Sequence, residues 1–264
     1  MQPVSVEDVA LTHGTARILT LARPDERNPL DHATVSRLRT LTEEADADSV
    51  VRAVIITGAG PAFSAGGDLR AYIDMYEHER EFRSFLDEFR ALNARLEHGR
   101  FASIAMVNGP CVAGGLELAL ACDLITIADD ARIGDGHLGT GQISGAGGSQ
   151  RLVRALGVQR AKQLLITGRL WSGTEAAHAG LALFSAPLGE LRERTLELAG
   201  ELAVHSPVAE KHMKTLVGYA AHLGFEEGLT AEQELVTGYV TRSHDAKEGL
   251  RAFLEHRAPR YSGS

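Results

Sequence analysis

Apolar and polar positions alternate at the start of the chain, with SVEDVAL and ARILTL on either side of THG, and this period of two predicts a β-hairpin. ARPDERNPL follows as a short loop. Asp31 is then placed as the N-cap of an amphipathic helix through HATVSRLRTLTEEAD, and VRAVIITG gives a strand rich in β-branched residues that ends at glycine. From Leu69 to His98 the period changes. Tyr72, Ile73, Tyr76, Phe82, Phe85, Leu86, Phe89, Leu92 and Leu96 recur at helical spacing, so this stretch is one long helix or an interrupted one. SIAMVNG, PCVAGG, LELALACD and LITIAD then compress strand, glycine turn, helix and strand into few residues, a cycle like the one before it.

Further on, GGSQRLVRALG and VQRAKQLLITG read as helices stopped by glycine, and SGTE has the form of a capping box that opens a short helix ended by Gly180. Beyond Leu188 the pattern is helical throughout. The periodicity therefore predicts an α/β body followed by a helical tail.

Composition narrows the function classes. The 264 residues suffice for one substantial core, and the formal charge of −8, without a long Lys/Arg run, argues against nucleic acid as a partner. MQPVSVEDVA lacks the basic-then-apolar order of a signal peptide, and the most apolar run is interrupted by Asn108, Gly109 and Pro110. A cytoplasmic protein with no membrane span is expected. Cys111 and Cys122 lie in apolar segments without a CxxC pattern and read as buried free thiols, and the 11 histidines form no recognisable ligand frame, so no metal is expected. Neither a P-loop nor a complete G-x-G-x-x-G after a strand is present.

Candidate chemistry lies in three glycine-rich stretches. In GPCVAGGLELALACDL the glycine pair between strand and helix exposes backbone N–H groups, and Glu117 falls in the first helical turn. In AFSAGGDLRAY the small residues Ser64, Ala65, Gly66 and Gly67 permit close approach of a ligand, while Asp68 is positioned to cap the helix starting near Leu69. Ser64 lacks the first glycine of a nucleophile elbow. The third stretch, IGDGHLGTGQISGAGGSQR from Ile133 to Arg151, surrounds Asp135 and His137 with glycine.

The order AFSAGGDL, VNGPCVAGGLELALACDL, GQISGAGGSQRL, WSGTEAAHAGL and SHDAKEGLRAFLEHRAPRY resembles the crotonase, or enoyl-CoA hydratase/isomerase, superfamily over nearly the whole chain. The resemblance implies an α/β fold: a spiral of β-β-α repeats carrying the acyl-CoA site over residues 1–200, and a C-terminal helical trimerisation region over residues 201–264. It further implies a homotrimer or a hexamer built as a dimer of trimers. There would be no prosthetic group, coenzyme A entering as part of the thioester substrate of fatty-acid metabolism. The oxyanion-hole amides would be those of Ala65 and Gly114, with Glu117 as one catalytic acid/base. Coenzyme A would lie against Arg27 and Pro29 and the segment Ser64, Ala65, Gly66, Gly67, Asp68 and Leu69. Arg257 and Tyr261 correspond to residues that cover it from a neighbouring chain.

Hydratases of the superfamily use two glutamates around one water, and counting back from SGAGGSQRL places His137 at the second. Histidine can supply either proton-transfer role near neutral pH, with Asp135 close enough in sequence to orient it. Hydration or isomerisation of an enoyl-CoA is the leading expectation. Hydrolysis of a β-dicarbonyl C–C bond or a CoA thioester is the alternative, as is a catalytically reduced CoA-binding or RNA-binding relative.

Overall fold

The computed structural model describes residues 2–264. Its elements follow the hydrophobic periods closely. Strands β1 (Val4–Ala10) and β2 (Thr15–Leu21) form the antiparallel hairpin, with Val4 opposite Leu21 and Ala10 opposite Thr15. Helix α1 (His32–Ala47) starts where Asp31 accepts a hydrogen bond from the Thr34 N–H, as its place before the amphipathic run predicts. Strand β3 (Val51–Gly58) is buried at every position but Arg52, as expected of a parallel strand covered on both faces.

The long helical stretch is two helices, α2 (Leu69–Tyr76) and α3 (Glu79–His98), which resolves the alternatives left by the sequence. Across the break the rings of Tyr72, Tyr76, Phe82 and Phe85 pack together, Tyr76 against Phe82 at 5.0 Å and Tyr72 against Phe85 at 5.8 Å between ring centres. After this pair come β4 (Ala102–Val107), β5 (Cys111–Val112), α4 (Gly114–Ala119), β6 (Leu124–Ala128) and β7 (Arg132–Gly134). The next elements are α5 (Gly148–Thr167), β8 (Trp171–Ser172), α6 (Gly173–His178) and β9 (Phe184–Ala186). The two glycine-stopped helices of the sequence adjoin within α5 at Gly157, whose φ of 71° breaks the helical path. The capping box is present, Ser172 accepting from the Glu175 N–H while Glu175 accepts from the Ser172 N–H.

Two sheets organise these elements. The larger has the order β1-β2-β3-β4-β6-β9, parallel from β2 onward, and the smaller the order β5-β7-β8. A single bridge between Ser64 and Cys111 extends the smaller sheet to the loop after β3. The chain therefore visits the large sheet, then the small sheet, then a helix: β3, Ser64 and α2; β4, β5 and α4; β6, β7 and α5. This repeat is the expected spiral, and it stacks the segments after β3, β5 and β7 side by side.

The helical tail begins with α7 (Leu188–Ala203), whose Leu191, Thr195, Ala199 and Ala203 are buried against the large sheet. Residue 200 thus lies inside a core helix, and the chain leaves the body only after Ala203. Helices α8 (Pro207–His222), α9 (Phe225–Arg242) and α10 (His244–Leu254) follow. Lys214 anchors α8, its ammonium donating to the carbonyls of Leu96 and Phe101 and pairing with Asp123 at 2.7 Å. Met213, Val217, Phe225 and Phe253 on these helices remain exposed.

Asn28 fixes the loop that faces the candidate site. Its backbone is left-handed (φ 55°), its side-chain amide donates to the Ala59 and Ala62 carbonyls at 3.0 and 2.8 Å, and its carbonyl oxygen accepts from the Arg23 N–H. The Ser64 hydroxyl in turn donates to the Asn28 backbone oxygen at 2.8 Å. Asn28→Ala leaves buried carbonyls unpaired and is expected to cost about 2–4 kcal/mol. Urea unfolding of the variant beside the wild type measures this.

Candidate active site

Glu117 sits one turn into α4, among apolar neighbours and only 3 % exposed. A buried carboxylate needs partners, and here they are main-chain groups: Oε1 accepts the N–H of Ala146 at 2.7 Å and of Gly148 at 2.9 Å. Glycine at 148 keeps this contact free, since a Cβ there would lie 3.0 Å from Glu117 Cγ and press on the carboxylate. The GAGG stretch is therefore the grip on one oxygen of this carboxylate. It is held in turn by α3 and α5, the Asn93 amide and the Arg151 guanidinium both donating to the Ala146 carbonyl.

The other oxygen, Oε2, faces His137 Nε2 at 3.9 Å. That is too long for a direct hydrogen bond and suits a water oxygen touching both groups from one side. Gly136, with a φ of 66°, turns the chain into the 3-10 turn His137–Thr140 and brings the imidazole inward. On its far side His137 Nδ1 meets Asp135 Oδ1 at 3.0 Å, and the Ser144 hydroxyl donates to the same oxygen at 2.7 Å. With Asp135 ionised, the imidazole proton sits on Nδ1 and Nε2 is turned to Glu117. Asp135, His137 and Glu117 thus form one line of polar groups. Ser144 joins it without any warning from the sequence, since a lone serine in a glycine loop carries no motif.

Electrostatics separates the three groups. Burial lifts Glu117 above the usual carboxylate range, against the opposing pull of the Gly148 and Ala146 amides and His137. For His137, burial favours the neutral ring, but the Asp135 hydrogen bond and the charges of Asp135 and Glu117 outweigh it and raise its pKa. Burial likewise acts upward on Asp135, yet the hydrogen bonds from His137 and Ser144 leave it below its ordinary value.

Beside Glu117 lie the first two glycine stretches. Ala113 has a positive φ of 53°, held by donation of its N–H to the Asp135 carbonyl at 2.8 Å, and this turn starts α4 with a Gly114 N–H that has no protein acceptor among the described residues. In the facing loop the expected donor is corrected. The Ala65 N–H is already donated to the Arg27 carbonyl at 3.0 Å, and the Gly66 N–H to the Ser64 hydroxyl at 3.1 Å. Among the described residues, Gly67 is the loop glycine whose N–H has no protein acceptor, and it lies against Gly114, 3.7 Å from where that residue's Cβ would stand. The pair of free amides is Gly67 and Gly114.

The other sequence candidates divide by exposure. Pro29, Ser64 and Gly66 are buried and shape the loops, whereas Arg27, Ala65 and Leu69 reach solvent beside the two free amides. Asp68 is the N-cap of α2, accepting from the Arg70 and Ala71 N–H groups at 2.9 and 3.2 Å. Arg257 is committed to Glu248 in a two-point ion pair on the tail. Cys111 and Cys122 are buried free thiols. Among the described residues there is no group of three or more His, Cys, Asp or Glu side chains that could hold a metal ion, and no helix is long and apolar enough to cross a membrane.

The sequence profile of the enoyl-CoA hydratase/isomerase family matches residues 12–264. The chain belongs to that family. It is 38% identical over 256 residues to a putative enoyl-CoA hydratase of Thermus thermophilus, covering 96% of this chain and all of that one. It is 34% identical over 247 residues to the 2,3-dehydroadipyl-CoA hydratase of Escherichia coli, covering 93% and 94%. The crystal structure of enoyl-CoA hydratase from Bacillus anthracis superposes over the full length of both chains with a TM-score of 0.91 at 34% identity. The spiral is the crotonase fold of the enoyl-CoA hydratase/isomerase family, and Glu117, His137 and the two free amides lie where its successive turns meet.

Because Asp135 is what raises His137 against its burial, Asp135→Asn should lower the imidazole pKa below that of the wild type. An NMR titration of the His137 ring protons in both proteins reads the direction directly.

Proposed function

We propose that the protein hydrates an enoyl-CoA thioester, with Glu117 as base and His137 as acid. The observation that carries this reading is the approach of Glu117 Oε2 to His137 Nε2, two proton-transfer atoms 3.9 Å apart in a largely buried site. In the proposed reaction a water held by both loses a proton to Glu117 while its oxygen bonds to Cβ. The π pair moves onto Cα and the thioester oxygen, where the Gly67 and Gly114 N–H groups stabilise the enolate. His137, as imidazolium, then gives its Nε2 proton to Cα. Transfer of the proton from Glu117 to His137 through the next water restores both groups.

The directions of the pKa shifts support this division of roles. A raised carboxylate is a better base, and an imidazole raised by Asp135 carries the proton that an acid must deliver. Hydration uses both groups, whereas isomerisation needs only one to carry a proton between carbons, so the paired arrangement favours hydration. The exposed Arg27, left-handed at φ 58° and tied through its carbonyl to Ala65, is proposed to meet a coenzyme A phosphate at the mouth of the site. The exposed apolar residues of α8 to α10 support a homotrimer, alone or paired as a hexamer.

The Asp135–His137 contact of 3.0 Å also favours a second reading, hydrolysis of a thioester or of a β-dicarbonyl C–C bond with His137 as the base toward water. That reading needs a neutral imidazole, which the neighbouring carboxylates oppose. Isotopic oxygen from water in a new carboxylate would mark hydrolysis, and a 3-hydroxyacyl-CoA product marks hydration.

For a panel of enoyl-CoA thioesters, Glu117→Gln should lower kcat/KM by about 10²–10⁴-fold with folding intact. Unchanged turnover on every active substrate removes the proposed base. The pH profile of kcat/KM should be bell-shaped: activity appears as Glu117 ionises on an acid limb shifted upward, and it is lost as His137 deprotonates. Asp135→Asn should move only the basic limb markedly, toward lower pH.

A further inference from the structure

Tyr72 of α2 is the residue of the aromatic cluster whose hydroxyl lies against Gly67. Its ring is fixed on three sides, stacked on Tyr76 at 5.9 Å and set against Phe82 and Phe85 at 6.1 and 5.8 Å. The hydroxyl lies directly over Gly67, so close that any Cβ at that position would overlap it. A side chain at 67 could enter only if the Tyr72 ring moved. The ring is half-buried, and among the described residues its hydroxyl bonds to no protein atom. Tyr76 differs: its hydroxyl is donated to the Gln142 side chain at 2.7 Å.

Two further facts fix the state of this hydroxyl. Burial raises the Tyr72 pKa, and the negative charge of Glu117 raises it further, so the phenol keeps its proton across the working range and acts as a donor. The Gly67 N–H beside this hydroxyl and the Gly114 N–H next to it are also donors with no protein acceptor among the described residues, while the nearby Glu117 carboxylate has its Oε1 already taken by two amides. Neighbouring donors without protein acceptors suit an oxygen that accumulates negative charge.

We propose that the Tyr72 hydroxyl is a third hydrogen-bond donor to the thioester oxygen, beside the amides of Gly67 and Gly114. The substrate class that benefits is the α,β-unsaturated thioester, whose conjugated carbonyl gains most negative charge when the oxygen is polarised. This rests on the reading of the site as an enoyl-CoA hydratase, but its test does not require turnover.

The probe is cinnamoyl-CoA, whose absorbance moves to longer wavelength as its carbonyl is polarised. Wild type should bind it with a red shift, and Tyr72→Phe, which keeps the ring and its packing, should bind it with a smaller one. With crotonyl-CoA the same variant should lose about 10²-fold in kcat with little change in KM. A red shift in Tyr72→Phe equal to that of the wild type overturns the proposal, as does a wild type that binds the probe without a shift or does not bind it. A wild type that polarises the bound probe yet hydrates no enoyl-CoA overturns the proposed reaction while leaving the Tyr72 comparison intact. A lower melting temperature in Tyr72→Phe together with an unchanged red shift assigns the residue to packing alone and also overturns it.

Discussion

The site depends on one buried carboxylate with two unequal oxygens. Glu117 could not remain charged among the apolar residues of α4 without help, and the help comes from the amides of Ala146 and Gly148 converging on Oε1. Because those amides leave Oε2 alone, the carboxylate has a structural half and a chemical half. The direction of Oε2, the close fit of Gly148 against Glu117 and the anchoring of the 146–148 segment by Asn93 and Arg151 all accompany that division.

The spiral explains why groups far apart in sequence meet there. Each turn passes from the large sheet to the small sheet before entering a helix, so the loop after β3, the turn after β5 and the segment after β7 end at one level. The first two present the Gly67 and Gly114 amides, and the third presents Asp135, His137 and the grip on Glu117. Ala113, strained at φ 53°, shows that the arrangement is held against local preference by the hydrogen bonds of its neighbours.

Local rules made much of this legible in the sequence. The hairpin, the Asp31 cap, the SGTE capping box and the Asp68 cap depend on residues a few positions apart, and each is present. The ordered glycine motifs carried the family and brought Glu117, His137 and Gly114 into one account. What stayed hidden was the pairing of particular atoms across the chain. Ala65 and Gly67 are equally small, and only the contact with the Arg27 carbonyl decides which amide is spent. Ser144 is likewise invisible until the loop folds back onto Asp135. Nor does the helical period beyond Leu188 tell which face of α7 packs on the sheet.

The grip on Glu117 Oε1 is made by main chain alone, and that has a consequence for descent. No side chain at 135, 137 or 144 bonds to Oε1, so mutation at those positions can exchange one polar partner for another without dislodging the carboxylate. The scaffold separates inheritance of the anchor from variation of its counterpart.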